Sequence, residues 1–384
     1  MQCLLRFYSK QVHRLVTLRL GLVGVLVALS ACSAATSGTA TRPGPVSSTT
    51  PTTIAPVASG VYDHTGPAAL SPAVAGVPTR VYVPNTESDT VDVIDPTTFE
   101  VVDHFAVGDV PQHIAPAWDL KTLYVTNNNG NSLTPIDPMT GKPGPPIPVD
   151  DPYNLYFTPD GAHAIVVAEA LHRLDIRDPH TWALQKSVPA PCNGVDHADF
   201  TSDGRQMLLS CEFDGQLLRL DLDTLEITGS LSVGGYPIDV RLSPDGKVFL
   251  VANQKRNGVS IIDIATFRET GFVATGEGAH GLYPNRDATA FYVSNRLAGS
   301  VTVLDATTRA VTATWKIGGS PDMGGVSTDG TQLWLTGRYH RSVYVIDTRT
   351  GKLLHTIKVG RGPHGLCLFP QPGRFSMGHT GNFR

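Results

Sequence analysis

Seven polar residues fall at corresponding positions along this chain: His113, Asn154, His197, Asp239, His280, Asp322 and His364. Each stands at the start of an apolar run that closes in a turn such as Thr158-Pro-Asp-Gly161 or Ser243-Pro-Asp-Gly246. Aligned on those turns, His280, Asp322 and His364 sit one place earlier than the other four. Four of the chain's 13 histidines thus share one repeated position, with Asn or Asp between them. Histidine and aspartate are metal-ligand types, and imidazole titrates near neutral pH. Brought together, these residues could hold a metal ion or bind a small molecule or peptide. Their simplest use is as hydrated polar lining, bonded to backbone and to one another.

Other residues could join such a site. Arg219, Arg241, Arg296 and Arg338 recur near strand ends and could meet an anionic ligand; solvated loop charge is the simpler expectation. Tyr153, Tyr156, Tyr236 and Tyr283 would suit a sugar or peptide surface, although core packing is the default for such rings. The chain carries no P-loop, G-x-G-x-x-G, G-x-S-x-G or H-E-x-x-H pattern. Its cysteine spacing matches no zinc or haem motif. Net charge is −4 with no basic run after the N-terminal segment, which argues against nucleic acid as a partner.

The elements that position these residues follow from a repeat. An apolar strand ends in Asp, followed after two residues by Thr, at Asp95, Asp137, Asp178, Asp221, Asp263, Asp305 and Asp347. The successive spacings are 42, 41, 43, 42, 42 and 42 residues. A fixed period of this length marks a repeat architecture. The Asp side chain can accept from backbone N–H groups two and three residues on, so these boxes read as structural turns. Each unit reads as four strands, with β-branched residues, period-2 alternation and Gly, Asp or Pro punctuation. No segment keeps a helical period. Seven units of four antiparallel strands predict an all-β, seven-bladed β-propeller. Its innermost strands would line a central channel, with the seven polar residues at the mouth. The C-terminal strand from His364 to Phe369 would pair with the three N-terminal strands that begin near Val81, closing the ring and removing open sheet edges.

The N-terminus reads as a targeting segment. Arg6, Lys10, Arg14 and Arg19 precede an apolar run, Leu20 to Leu29, too short to span a bilayer comfortably. Leu29-Ser30-Ala31-Cys32 resembles a bacterial lipobox, which would make Cys32 the lipidated first mature residue; the alternative is an ordinary cleaved signal with a free cysteine nearby. The expected organisation is a signal peptide over 1–31, a disordered Ser/Thr/Pro/Ala-rich stalk over 32–76, the propeller over 77–373 and a C-terminal tail over 374–384. Cys192 precedes one strand and Cys211 ends the next, so a disulfide and two buried thiols are both open readings.

Strands reading Tyr-Val-x-Asn (Tyr82-Val-Pro-Asn85, Tyr124-Val-Thr-Asn127, Tyr292-Val-Ser-Asn295), the x-Val-Ile-Asp strand and the Ser-Pro-Asp-Gly turn resemble the YVTN repeat family, including YncE-like proteins. The resemblance covers roughly residues 77 to 373 and weakens at Ile165–Glu169 and Leu208–Glu212, where the Asn is replaced. It implies a secreted or surface-attached propeller and is weak for activity, because propellers host many functions. The expectation is a lipoprotein anchored through Cys32 that faces the periplasm or cell surface. There it would act as a binding or scaffolding module through the channel mouth and adjoining loops, for a protein, peptide or small molecule. No cofactor is expected, with a metal ion at the His ring as the exception left open. Two rivals remain: a lactonase- or lyase-like propeller enzyme, and a metal-dependent redox protein. Copper-cluster propellers of the nitrous-oxide-reductase kind use inner-strand His at a comparable place, but their paired-His motifs are absent here.

Overall fold

The computed structural model describes residues 60–384; the expected signal peptide, Cys32 and the expected stalk up to residue 59 lie outside the described residues. Seven antiparallel sheets follow one another, six of four strands and one of five. The five-stranded sheet is an ordinary blade whose outer strand is split into Lys142–Pro143 and Ile147–Pro148. Pro143, Pro145, Pro146 and Pro148 cannot donate to a ladder, so this edge pairs only in fragments. Ring closure is the expected one: Cys367–Phe369 pairs antiparallel with Arg80–Asn85, which leads into Thr90–Asp95 and Glu100–Ala106.

Burial grades outward across each blade. The inner strands Pro111–Pro116, Val195–Phe200 and Pro237–Leu242 are buried at every residue, because neighbouring blades cover both faces. The outer strands Glu226–Ser232 and Arg268–Ala274 alternate between exposed and half-buried residues. This gradient is why continuous apolar runs mark inner strands and alternation marks outer ones.

Six of the seven inner strands begin with a β-bulge. Pro111 pairs with Asn127 and Ile114 with Val125, so Gln112 and His113 together oppose Thr126. The same two-against-one pairing sets Asp196 and His197 against Ser210, His280 and Gly281 against Ser294, and Asp322 and Met323 against Thr336. The opposing hydroxyl fills the gap: Thr126 accepts from His113 N (3.0 Å), Ser210 from His197 N (3.0 Å) and Ser294 from Gly281 N (2.9 Å). The third residue of the Tyr-Val-x-Asn motif is therefore a bulge plug. The Asn that follows ties the next strand, as Asn127 Nδ2 donates to Ser132 (3.1 Å) and Thr134 (2.9 Å).

Two segments differ from the sequence expectation. Residues 60–76, assigned to the stalk, pack on the propeller: Tyr62 is buried and donates to Leu242 O (2.7 Å), and Val74 joins a core cluster. Composition averaged over the stalk hides these two anchors. Residues 374–384, expected as a tail beyond the propeller, form a hairpin. Met377 N donates to Asn382 O (2.7 Å), and Ser376 pairs with Phe383.

Candidate functional site: the channel mouth

The bulges place six of the seven predicted residues. His113, Asn154, His197 and Asp239 hold the second bulge position or its equivalent, whereas His280 and Asp322 hold the first. This is the one-residue slip visible in the sequence. Two bulged residues share one opposing residue, and the strand is re-aimed there. All seven residues are buried, and the four histidine rings converge. Ring centroids are 4.8 Å apart for His113 and His364, 5.1 Å for His113 and His197, and 5.9 Å for His280 and His364.

An eighth member comes from the C-terminal hairpin. The hairpin climbs the inner strand Pro152–Phe157 from its far end: Ser376 donates to Pro116 O (3.0 Å), Phe157 N to Met377 O (3.0 Å) and His379 N to Leu155 O (2.7 Å). Its tip therefore stands level with Asn154, near the mouth. There the fully buried His379 ring lies 4.7 Å from His197 and 5.1 Å from His113. On the way back Arg241 donates to Asn382 Oδ1, and the Arg384 guanidinium meets Asp199 Oδ2 at 2.8 Å. The channel is thus blind, with a floor made by its own C-terminus.

His113, His197 and His379 each offer a ring nitrogen within 4.8 Å of the other two. Among the described residues, neither ring nitrogen of His113 or His197, nor His379 Nε2, has a hydrogen-bond partner. Asp196 Oδ1 is 2.7 Å from His197 Nδ1 but out of line for a hydrogen bond, so the contact is a close ion pair. Burial opposes charge on His197, yet Asp196 outweighs it and holds the pKa above its ordinary value. Burial, with the neighbouring His charges, pushes His113 and His379 well down and keeps them neutral.

The opposite side of the mouth is an ion cluster. Asp322 accepts from Arg296 Nε (2.8 Å), while its Oδ1 faces His280 Nδ1 at 3.0 Å and its Oδ2 faces His364 Nδ1 at 3.1 Å. Burial alone would raise the Asp322 pKa, but Arg296, helped by His280 and His364, holds it well below the carboxylate range. Burial and then Arg296 push His280 down to about 4. Arg296 also donates to His280 Nε2, which fits a neutral ring with its proton on Nδ1.

A second tier follows the second strand of each blade: Thr86, Asn128, Glu169, Glu212, Gln254, Arg296 and Arg338. It is polarised, with carboxylates on two adjacent blades and guanidiniums on two others. Glu169 and Glu212 are half-buried. Burial and then Asp196 raise Glu212 to about 7, and burial, Asp196 and Glu212 raise Glu169 well above the carboxylate range. Across from them, Arg338 Nη1 is buried with no hydrogen-bond partner among the described residues. Half-buried Tyr153 lies within the fields of Asp196, Glu169, Glu212 and Arg338.

The remaining candidates separate. The seven box Asp residues lie at the other end of the blades, where they accept from turn backbone; Asp221, Asp263 and Asp347 do so at 2.8, 2.8 and 2.7 Å. Arg241 and Arg296 are buried in ion pairs rather than solvated, because each faces a carboxylate on an inner strand, Asp239 (3.7 Å) and Asp322 (2.6 Å). Arg219 stacks on Phe267 away from the channel. Tyr156 and Tyr283 are core residues whose hydroxyls accept from Ala198 N (2.8 Å) and Gly324 N (2.9 Å) of the next blade. Tyr236 lies under Lys255, whose Nζ is 3.6 Å from the ring centre. Cys192 and Cys211 are joined, with Sγ–Sγ 2.00 Å.

Sequence reasoning missed His379, Asp196 and the two Glu. His379 lies outside the repeat, although Phe375-Ser-Met-Gly378-His-Thr-Gly381-Asn-Phe383 carries a hairpin signal, aromatics flanking a Gly-bounded turn.

A closed ring of seven antiparallel blades with polar residues converging at one blind mouth defines a seven-bladed β-propeller with a channel site. A profile of the YNCE-like beta-propeller family matches residues 51–372, and the chain belongs to that family. No curated protein sequence matches the chain. Among solved structures it is similar to Kuenenia stuttgartiensis hydrazine synthase, with TM-score 0.57 and 19% identity over 66% of this chain and 88% of that one. It is similar to the dihydro-heme d1 dehydrogenase NirN in complex with DHE, with TM-score 0.59 and 15% identity over 76% and 75%. It also resembles a Bacteroides uniformis protein designated a candidate 6-phosphogluconolactonase, with TM-score 0.62 and 15% identity over 76% and 99%. At these identities the likeness is one of fold.

Proposed function

We propose that this protein is an extracytoplasmic, membrane-anchored binding propeller that captures a small polar solute or peptide end at the channel mouth. The observation that carries this reading is the polarised second tier above a closed floor. Glu169 and Glu212, whose burial favours the protonated form in the free protein, would ionise against a bound cationic group, and Arg338 Nη1, without a hydrogen-bond partner among the described residues, would meet an anionic one. A ligand bearing both charges, such as an amino acid or a peptide terminus, answers both sides.

A thermal-shift and calorimetric screen of amino acids and short peptides tests this on the full folded chain. A saturable ligand should raise the melting temperature, and Arg338→Ala should weaken it about tenfold or more, the loss of one charge-assisted contact. Absence of any stabilising compound in that class, or equal affinity in Arg338→Ala, contradicts the reading.

The location rests on the lipobox-like Leu29-Ser30-Ala31-Cys32 and on the Cys192–Cys211 disulfide, which suits an oxidising compartment. Fatty-acid labelling in cells should disappear in Cys32→Ser; labelling that persists argues for a different anchor.

A further inference from the structure

We propose that His113, His197 and His379 form a three-histidine site for a zinc- or copper-class ion at the centre of the blind channel. The site shares the mouth with the ligand reading above, but it stands on separate residues.

Convergence is the first argument. One nitrogen from each ring lies within 4.8 Å of the other two. Nitrogens bound at ~2.0–2.1 Å in a tetrahedral site stand about 3.4 Å apart, so capture requires the rings to close by about an ångström. Small rotations of imidazoles on three separate backbone elements supply that.

The second argument is the absence of other partners. Among the described residues, fully buried His113 and His197 have no hydrogen-bond partner at either ring nitrogen, and fully buried His379 has none at Nε2. Buried polar atoms are almost always partnered, and each orphan costs stability. Several orphans pointing at one another are explained by a shared cation.

The third argument is orientation. The Asn154 amide grips His379 Nδ1, with Nδ2 at 3.0 Å and Oδ1 at 3.3 Å. The shorter contact makes Nδ1 an acceptor from Nδ2; the other tautomer, with the proton on Nδ1 donated to Oδ1, is the one that frees Nε2 to ligate. Asp196 stands 2.7 Å from His197 Nδ1, so a metal ion would displace the Nε2 proton while the carboxylate holds the other on Nδ1. A carboxylate or amide behind a ligating imidazole is the usual second layer of a metal site. Asp239 Oδ1, 3.7 Å from His379 Nε2, adds a second negative charge against the nearby Arg241 and Arg338. Gly365 keeps the site open, since a Cβ there would stand 2.2 Å from His113 Nδ1.

Three imidazoles select zinc, copper or nickel over magnesium, calcium and manganese. They also leave a fourth position open for water or a ligand group. His364 and His280 are held by Asp322 and stand aside.

Full-length protein should be stripped with chelator, dialysed against Zn2+ or Cu2+, and assayed by elemental analysis, with copper read by electron paramagnetic resonance. The expected result is one ion per chain, nitrogen hyperfine coupling from three imidazoles, and affinity at least about 100-fold lower in His379→Gln and His197→Gln. His355→Ala, on the exposed outer strand Leu353–Lys358, should bind as the wild type. Folding of each variant is verified by its melting transition, and the wild-type spectrum alone suffices if a variant fails to fold. No retained ion in the wild type, or an ion kept undiminished by both folded Gln variants, overturns the proposal. The ligand screen is run on stripped protein, so its failure and this one are separable.

Discussion

Asp322 carries more of the mouth than any other residue. Its carboxylate answers Arg296, His280 and His364 at once, at 2.6 to 3.1 Å, with no exposure to water. Removing one partner of a buried pair leaves the other charge uncompensated, which costs far more than a surface pair is worth. Asp322→Asn should therefore lower stability by about 3–5 kcal/mol, seen as a lower urea midpoint with an unchanged slope. A midpoint within error of the wild type means that Arg296 finds another anion. The position of Asp322 in the ring was legible in the sequence, and so was its one-residue offset from His197. The offset became interpretable only with the bulge, because pairing register is set across strands and not along one. The burial of Arg296 was not legible, since its partner lies 26 residues further on, on the inner strand of the next blade.

At the scale of elements, the C-terminal hairpin decides what kind of channel this is. It meets the inner strand Pro152–Phe157 so closely that Gly378, at φ +86°, has no room for a side chain: a Cβ would stand 2.3 Å from Leu155 O. Gly378→Ala should lift the tip away, lower the melting temperature and weaken metal binding together, without unfolding the blades. The structural part is worth about 1–3 kcal/mol, the usual range for strain at a positive-φ position. Retained His379-dependent metal binding in that variant would show that the tip has another way to reach His197. The seven units themselves were legible because every unit repeats the same turn chemistry, box Asp included. The hairpin has no counterpart to align with, so the repeat that exposed the ring also concealed its eighth member. Residues 60–76 escaped for a related reason, since one buried Tyr and one buried Val are outvoted by their polar neighbours.

For the whole molecule, the channel gathers buried imidazoles, those of His113, His280, His364 and His379 held neutral, into one body closed by its C-terminal strand and hairpin. His280 has its pKa lowered to about 4 by burial and Arg296, while an unfolded chain would titrate near 6.5. Between those values the unfolded state binds the proton and the folded state does not. Stability is then fully present above about pH 6.5 and falls as the pH drops toward 4, by about 3 kcal/mol for this residue. His113, His364 and His379 are displaced in the same direction and steepen the loss. His197, Glu169 and Glu212 are displaced upward and oppose this loss, so the test reads one ring directly: in chelator-treated protein the His280 ring proton signals should not titrate between pH 7 and pH 5, and an inflection near 6.5 contradicts the burial of a neutral ring.

The central claim is that the C-terminus closes the channel and carries His379 to the ring. Hydrogen exchange tests it most directly, because the amides of His379 and Phe157 donate to Leu155 O and Met377 O across that contact. The account predicts that both amides are protected to the level of the inner strands. Exchange of residues 376–383 at the rate of a free chain end, with Phe157 also unprotected, would contradict it.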